Sequence, residues 1–169
     1  MKLFNLALFD AAGSLDFRLC DRNRGDHRIC RSAVDGAFDE QARQTIKVPA
    51  LPLDEVLAPN VLEGAGPVGA KIVAQGAETH VVAGGHRVLA RAAAAVIEIY
   101  PFGIDRLQGD LASLLKFCAG QFHWAAFNEG EDQSIPPWQP VGDITTAIAH
   151  RHEAAKRDAS QYFHLFLKR

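Results

Sequence analysis

The residues best suited to chemistry fall into two groups, and the first is the loop 23–27 with Asn23, Asp26 and His27. A neutral imidazole beside a hydroxyl can take its proton, and a neighbouring carboxylate can orient the ring for that task. Asp26 and His27 are adjacent in sequence, and adjacent side chains on extended backbone point to opposite faces, so the pair cooperates only if the chain turns there. The same residues read equally well as a polar loop clamped by bonds from side chain to backbone. The second group is Lys71, Gln75 and Glu78, followed by Glu98 and Tyr100. Lys71 is either a cation reaching the end of its strand or an ion-paired surface residue. Glu78 falls in the first turn of an expected helix, where a carboxylate accepts backbone N–H groups and opposes the helix dipole, or else faces a ligand. Glu98 lies inside the apolar run 95–100, where a buried carboxylate needs a partner or a raised pKa.

These groups must be positioned by a strand, a crossover helix and a parallel strand. Residues 69–74 are apolar and short, Val81, Val82, Val88 and Leu89 share one helical face, and the run 95–100 stops at Pro101. Such a βαβ unit winds right-handed and places its functional loops beyond the carboxyl ends of the strands. Gln75, Gly76, Glu78, Tyr100 and Phe102 are therefore expected on one rim. Upstream, residues 5–9 read as a core strand that ends at Asp10. Residues 14–20 alternate Leu15, Phe17 and Leu19 with polar neighbours, a segment around 28–32 follows, and 44–49 is extended. Residues 11–50 are thus expected to be an antiparallel β insertion within a single domain spanning 1–169. Asp54 and Glu55 suit the amino end of a short helical turn at 53–57. Asp110 is expected to cap a helix through Cys118 that stops at Gly120. A strand at 122–127, a helix from Asp143 or Thr145 to about Lys156 and a last strand at 162–167 suggest an antiparallel edge pair.

Several short blocks carry a family resemblance. Residues 71–78 (KIVAQGAE), 82–89 (VAGGHRVL) and 96–101 (VIEIYP) resemble the second half of FkbM-type methyltransferases. Residues 5–10 (NLALFD), 13–17 (GSLDF), 23–28 (NRGDHR) and 48–57 (VPALPLDEVL) resemble earlier blocks of that family in the same order, with a weaker echo at 161–166. The resemblance implies an α/β, class I Rossmann-like methyltransferase fold, with S-adenosylmethionine as methyl donor and an oxygen of a small molecule or sugar as acceptor. Within that reading, catalytic roles are expected at Asp26, His27, Lys71 and Glu78 and acceptor contacts at Asn23, Gln75, Glu98 and Tyr100, while the resemblance itself implies a cofactor contact at Asp10. Two departures stand out. The family's glycine-rich cofactor half would lie before Asn5, so the chain reads as a truncated, carboxyl-terminal part needing a complementing amino-terminal fragment. Val73 also stands where the family has an aspartate, and valine accepts no hydrogen bond. The competing expectation is a non-catalytic methyltransferase remnant serving as an interaction module.

Composition sets the remaining bounds. With 169 residues and 48% hydrophobic content the chain can bury a core of its own. Its 18 Lys and Arg against 20 Asp and Glu offer no broad basic surface for nucleic acid or an anionic membrane. The basic cluster between Arg18 and Arg31 is interleaved with acids and reads as a solvated face. Three cysteines form no close pair, so neither a disulfide framework nor a zinc site is expected and a reducing cytoplasm is the default setting. His150 and His152 fall on different faces of their helix and make no metal pair. The motif 64–69 (GAGPVG) has dinucleotide-loop spacing but leads into a strand, so a flexible loop is expected. An exposed strand edge could also support a homo-oligomer.

Overall fold

The computed structural model describes residues 3–30, 37–57, 62, 64, 66–129 and 134–169. Parts of two expected segments, at 31–32 and at Ala65 of the 64–69 motif, lie outside the described residues, as do residues 130–133 in the polar, proline-containing stretch 129–140. The chain is mixed α/β with two sheets. The smaller contains β1 (Ala7–Leu8), β2 (Gly13–Arg18), β3 (Arg28–Ile29) and β4 (Thr45–Leu51), in the order β1-β4-β2-β3. β2 is antiparallel to both β3 and β4, while β1 runs parallel to β4. The segment expected as a core strand lies in the small sheet, where its backbone pairs with Ala50 and Leu51.

After α1 (Leu53–Val56) the expected βαβ unit follows. β5 (Val68–Ile72) pairs in parallel with β6 (Ala92–Ile99), and the crossover consists of α2 (Glu78–Ala83) and α3 (His86–Leu89). Val81, Val82, Val88 and Leu89 are all buried, as their spacing requires. The crossover breaks at Gly84 and Gly85, and Gly84 must be glycine because a Cβ there would meet the Phe9 carbonyl oxygen at 2.1 Å. Asp54 does not cap its own turn; its carboxylate instead accepts the Arg87 and Val88 N–H groups, each at 2.9 Å, capping α3 from another element.

The remaining elements are α4 (Pro101–Arg106), α5 (Leu111–Gln121), β7 (Trp124–Glu129), β8 (Gln139–Pro140), α6 (Val141–Ala155) and β9 (Phe163–Lys168). Pro101 opens α4 at its first turn, where a missing N–H costs nothing. Asp110 caps α5 through the Ser113 N–H at 2.9 Å. Gly120 does not stop α5, which runs on to Gln121 before Phe122 turns extended. The large sheet has the order β5-β6-β9-β7-β8. β9 is antiparallel to both neighbours, so the last strand is interior and not part of an edge pair. Phe163, Leu165 and Leu167 explain the place, since all three are buried and need a covered face. The edge falls to the two-residue β8, where Pro140 forfeits no ladder bond that matters.

One core fills the helix-covered side of the large sheet; a second, of Phe9, Ile29, Ala50, Ala77 and Leu107, ties the small sheet to the turn after β5 and the end of α4. Among the described residues no helix is long and apolar enough to cross a membrane.

Candidate functional site

The turn after β5 is built around a carboxylate. Gln75 and Gly76 adopt positive φ, 52° and 101°. A Cβ on Gly76 would lie 2.4 Å from the Gly103 carbonyl carbon, so glycine alone lets this turn touch the start of α4. Glu78 closes the turn by accepting the Ala74 N–H at 2.8 Å and the Gly76 N–H at 3.0 Å. It is fully buried, and desolvation pushes its pKa up to about 7 against the pull of those backbone bonds, with nearby Glu98 adding to the rise. Both oxygens are spent on the backbone. Of the two readings of Glu78 the structure has the carboxylate clamping the turn from within, fully buried.

Beside this turn sits a buried ion-pair cluster that sequence spacing did not announce. Glu40 accepts from Arg28 at 3.0 Å and from Arg106 at 2.6 Å, with Arg18 at 3.6 Å. Asp26 pairs with Arg28 and, at 2.6 Å, with Arg43, which also donates to the Asp26 carbonyl at 2.8 Å. Arg28 reaches the Gln75 side-chain oxygen at 3.5 Å, and its guanidinium lies 6.0 Å from the Tyr100 ring centre. The Tyr100 hydroxyl donates to the Ala159 carbonyl at 3.1 Å; burial raises its pKa, partly offset by Arg28. The basic run expected to be solvated is thus partly interior, since Arg28 is only 3% exposed. The charges at 28, 40 and 106 belong to a short strand, a 3₁₀ turn and a helix, separated in sequence, so no local motif could signal them.

This cluster overturns the expected Asp26–His27 dyad, because Asp26 is held by arginines. His27 has another partner: its Nδ1 accepts the Cys20 backbone N–H at 2.8 Å. A backbone N–H can only donate, so Nδ1 carries the lone pair and the proton of the neutral ring sits on Nε2. His27 therefore presents a donor at Nε2, and the expectation that it serves as a general base oriented by Asp26 is corrected. Asn23 clamps the loop by accepting the Gly25 N–H at 3.0 Å.

A cavity of about 530 Å³ opens between the small sheet and β5, and brings together His27, Lys71 and Gln75 from the expected set, with Val73 beside them. Glu98 is buried on β6 opposite His164, its pKa raised by desolvation and pulled back by the charge of Lys71. Tyr100, Glu98, Asn23 and Asp26 do not line this cavity. Asp10 is elsewhere, with its carboxylate 2.8 Å from Nδ1 of His80, whose Nε2 lies 3.1 Å from the Leu107 carbonyl. The His80 ring stacks on Phe9 at 4.3 Å. Asp10 thus ties the small sheet to α2. Among the described residues no three His, Cys, Asp or Glu gather as a metal site.

S-adenosylmethionine needs an available carboxylate for its ribose and a glycine-rich turn that opens a helix. The residues described here do not fit that need. Asp10 is committed to His80, Val73 is hydrocarbon and 46% exposed, and the glycines before Pro67 lead into β5. No family model matches the chain, and neither a curated protein nor a solved structure matches it significantly.

Proposed function

We propose that this chain is the acceptor-binding part of an S-adenosylmethionine-dependent O-methyltransferase of the FkbM type, with a small molecule or sugar as acceptor and the donor site supplied by another polypeptide segment. The observation that carries this reading is the interior, reversed β9 between β6 and β7, beside a parallel β5–β6 crossover. A reversed last strand next to parallel strands is the ending of the Rossmann-like methyltransferase fold that the sequence blocks imply. The acceptor would lie in the cavity beside β5, past the end of the strand where open α/β sheets bind ligands. Here His27 donates to an acceptor oxygen and Lys71 supplies a positive charge. No step through the methyl donor is assigned to this chain.

A second reading, a non-catalytic module on the same sheet, is favoured by Val73 at the strand end and by the engagement of Asp10 with His80. Two titrations separate the readings. The isolated chain should bind neither S-adenosylmethionine nor its demethylated product by calorimetry, and Val73→Asp should not restore binding. Micromolar affinity, about −8 kcal/mol, would overturn the division of labour proposed here. A fusion placing the glycine-rich half of an FkbM-type enzyme before Asn5 should then bind the donor; a folded fusion that does not would favour the non-catalytic module.

A further inference from the structure

The cavity beside β5 is polar at few points, and the identity of those points restricts what it can hold. We infer that it binds an apolar molecule bearing a single carboxylate, held by the Nε2–H of His27 and the ammonium of Lys71. This deepens the proposed function, since it rests on reading the cavity as the acceptor site and names the acceptor's class.

Three observations carry the inference. The Cys20 N–H fixes the hydrogen-bonding role of His27: a proton on Nδ1 would break that 2.8 Å bond, so Nε2 is the ring's donor and recognises an oxygen with lone pairs. The Phe17 ring, edge-on to the imidazole at 6.1 Å and itself lining the cavity, restricts the ring's movement. Secondly, among the described residues the lining includes Lys71 but no Asp or Glu. The charge of Lys71 also acts on Glu98, which is buried on β6 outside the lining, so a ligand carboxylate shares that cation, whereas a cationic ligand finds no partner among the described lining residues. A dianionic phosphate would bring twice the charge of the one lysine. Thirdly, Leu8, Ile29, Leu53, Ile72, Val81 and Leu89 form much of the wall, which suits a hydrocarbon or ring body. At about 530 Å³ the space is of the size that small-molecule sites occupy.

The other occupant that this place suggests is an extended peptide adding to the open edge of β5. Two features of that edge oppose it. The register slips between Val68 and Gly69, and Lys71 stands in the middle of the strand. Irregular register and lysine are devices by which sheet edges resist added strands.

The probe is sodium decanoate, titrated well below its micelle concentration into ¹⁵N-labelled chain, with decanol and decylamine as controls. Saturable shifts at His27, Lys71, Val73 and Gln75 are expected, with decanoate at least tenfold tighter than either control. Lys71→Met should weaken decanoate about tenfold and leave decanol unchanged. Because His27→Phe also removes the acceptor for Cys20 and can unfold the loop, the ring is read directly: its long-range ¹H–¹⁵N spectrum should show a protonated Nε2 and an unprotonated Nδ1. The inference is overturned by decanol or decylamine binding as tightly as decanoate, by no saturable shift, or by the opposite tautomer. Shifts confined to β5 amides that grow with protein concentration also overturn it, and assign the edge to strand pairing. Failure with decanoate while the fused chain binds the methyl donor would discard the ligand class and keep the acceptor-binding reading. Success with decanoate and failure of the fusion would do the reverse.

Discussion

Glu40 and Glu78 are both almost wholly buried carboxylates, and the fold compensates them in opposite ways. Glu40 is surrounded by the guanidiniums of Arg18, Arg28 and Arg106. Glu78 is held by backbone N–H groups, those of Ala74, Gly76 and its own residue, at the close of the turn after β5. Full charges brought from distant segments fasten the loop at Asp26 and the 3₁₀ turn at Glu40 to α4. Amide dipoles from the same turn hold Glu78 in place but leave its burial costly, which is why its pKa climbs to about 7. The first arrangement joins segments remote in sequence; the second shapes one turn and makes that turn responsive to pH.

The comparison breaks most severely at Glu40. Glu40→Gln keeps the shape but removes the charge facing Arg28 and Arg106, and breaking a buried pair costs about 3–5 kcal/mol. Urea unfolding should show a loss of that order; a loss below about 1 kcal/mol would mean the arginines find other compensation. Glu78 tests the other side through pH. Its folded pKa of about 7 exceeds the ordinary 4.5, so the folded state holds the proton more tightly between those values. The group's stabilisation is complete below pH 4.5 and is lost as pH rises through 7, a change on the order of 3 kcal/mol. Stability measured from pH 8 down to pH 5 should therefore rise in the native chain and rise less in Glu78→Gln; equal slopes would show that another group carries the effect. Asp54 gives the smallest effect. It uses the same backbone-amide chemistry as Glu78 while half-buried, so Asp54→Ala should cost about 1 kcal/mol, seen as a modest fall in urea midpoint with faster amide exchange at Arg87 and Val88.

Particular residues show where the sequence was readable. The buried positions Val81, Val82, Val88 and Leu89, the Asp110 cap and the parallel pairing of β5 with β6 all rest on periodicity or on contacts within a few residues. The strand at 5–9 was legible as extended chain but not as part of the small sheet, because two paired residues carry no information about their partner. The last strand showed its alternation but not its interior place, which β6 and β7 decide together. At the candidate site, Lys71, Gln75 and His27 meet as neighbours of one cavity, yet the role of His27 reversed once Cys20 was found on Nδ1. Asp26 and Asp10 were noticed for their chemistry and turn out to be fasteners, their partners Arg43 and His80 lying 17 and 70 residues away.

The sequence by itself determined the crossover with its buried face, the capped helix after Asp110 and most of the extended segments. Those properties follow from hydrophobic period and backbone sterics, which act over one to four residues. Only the tertiary structure decided which charges neutralise one another, which nitrogen of His27 accepts the Cys20 N–H, why Gly76 and Gly84 have no room for a Cβ, and whether Glu78 meets solvent. Each of these depends on groups brought together from distant parts of the chain, and on the loss of water around them, neither of which is written in local spacing.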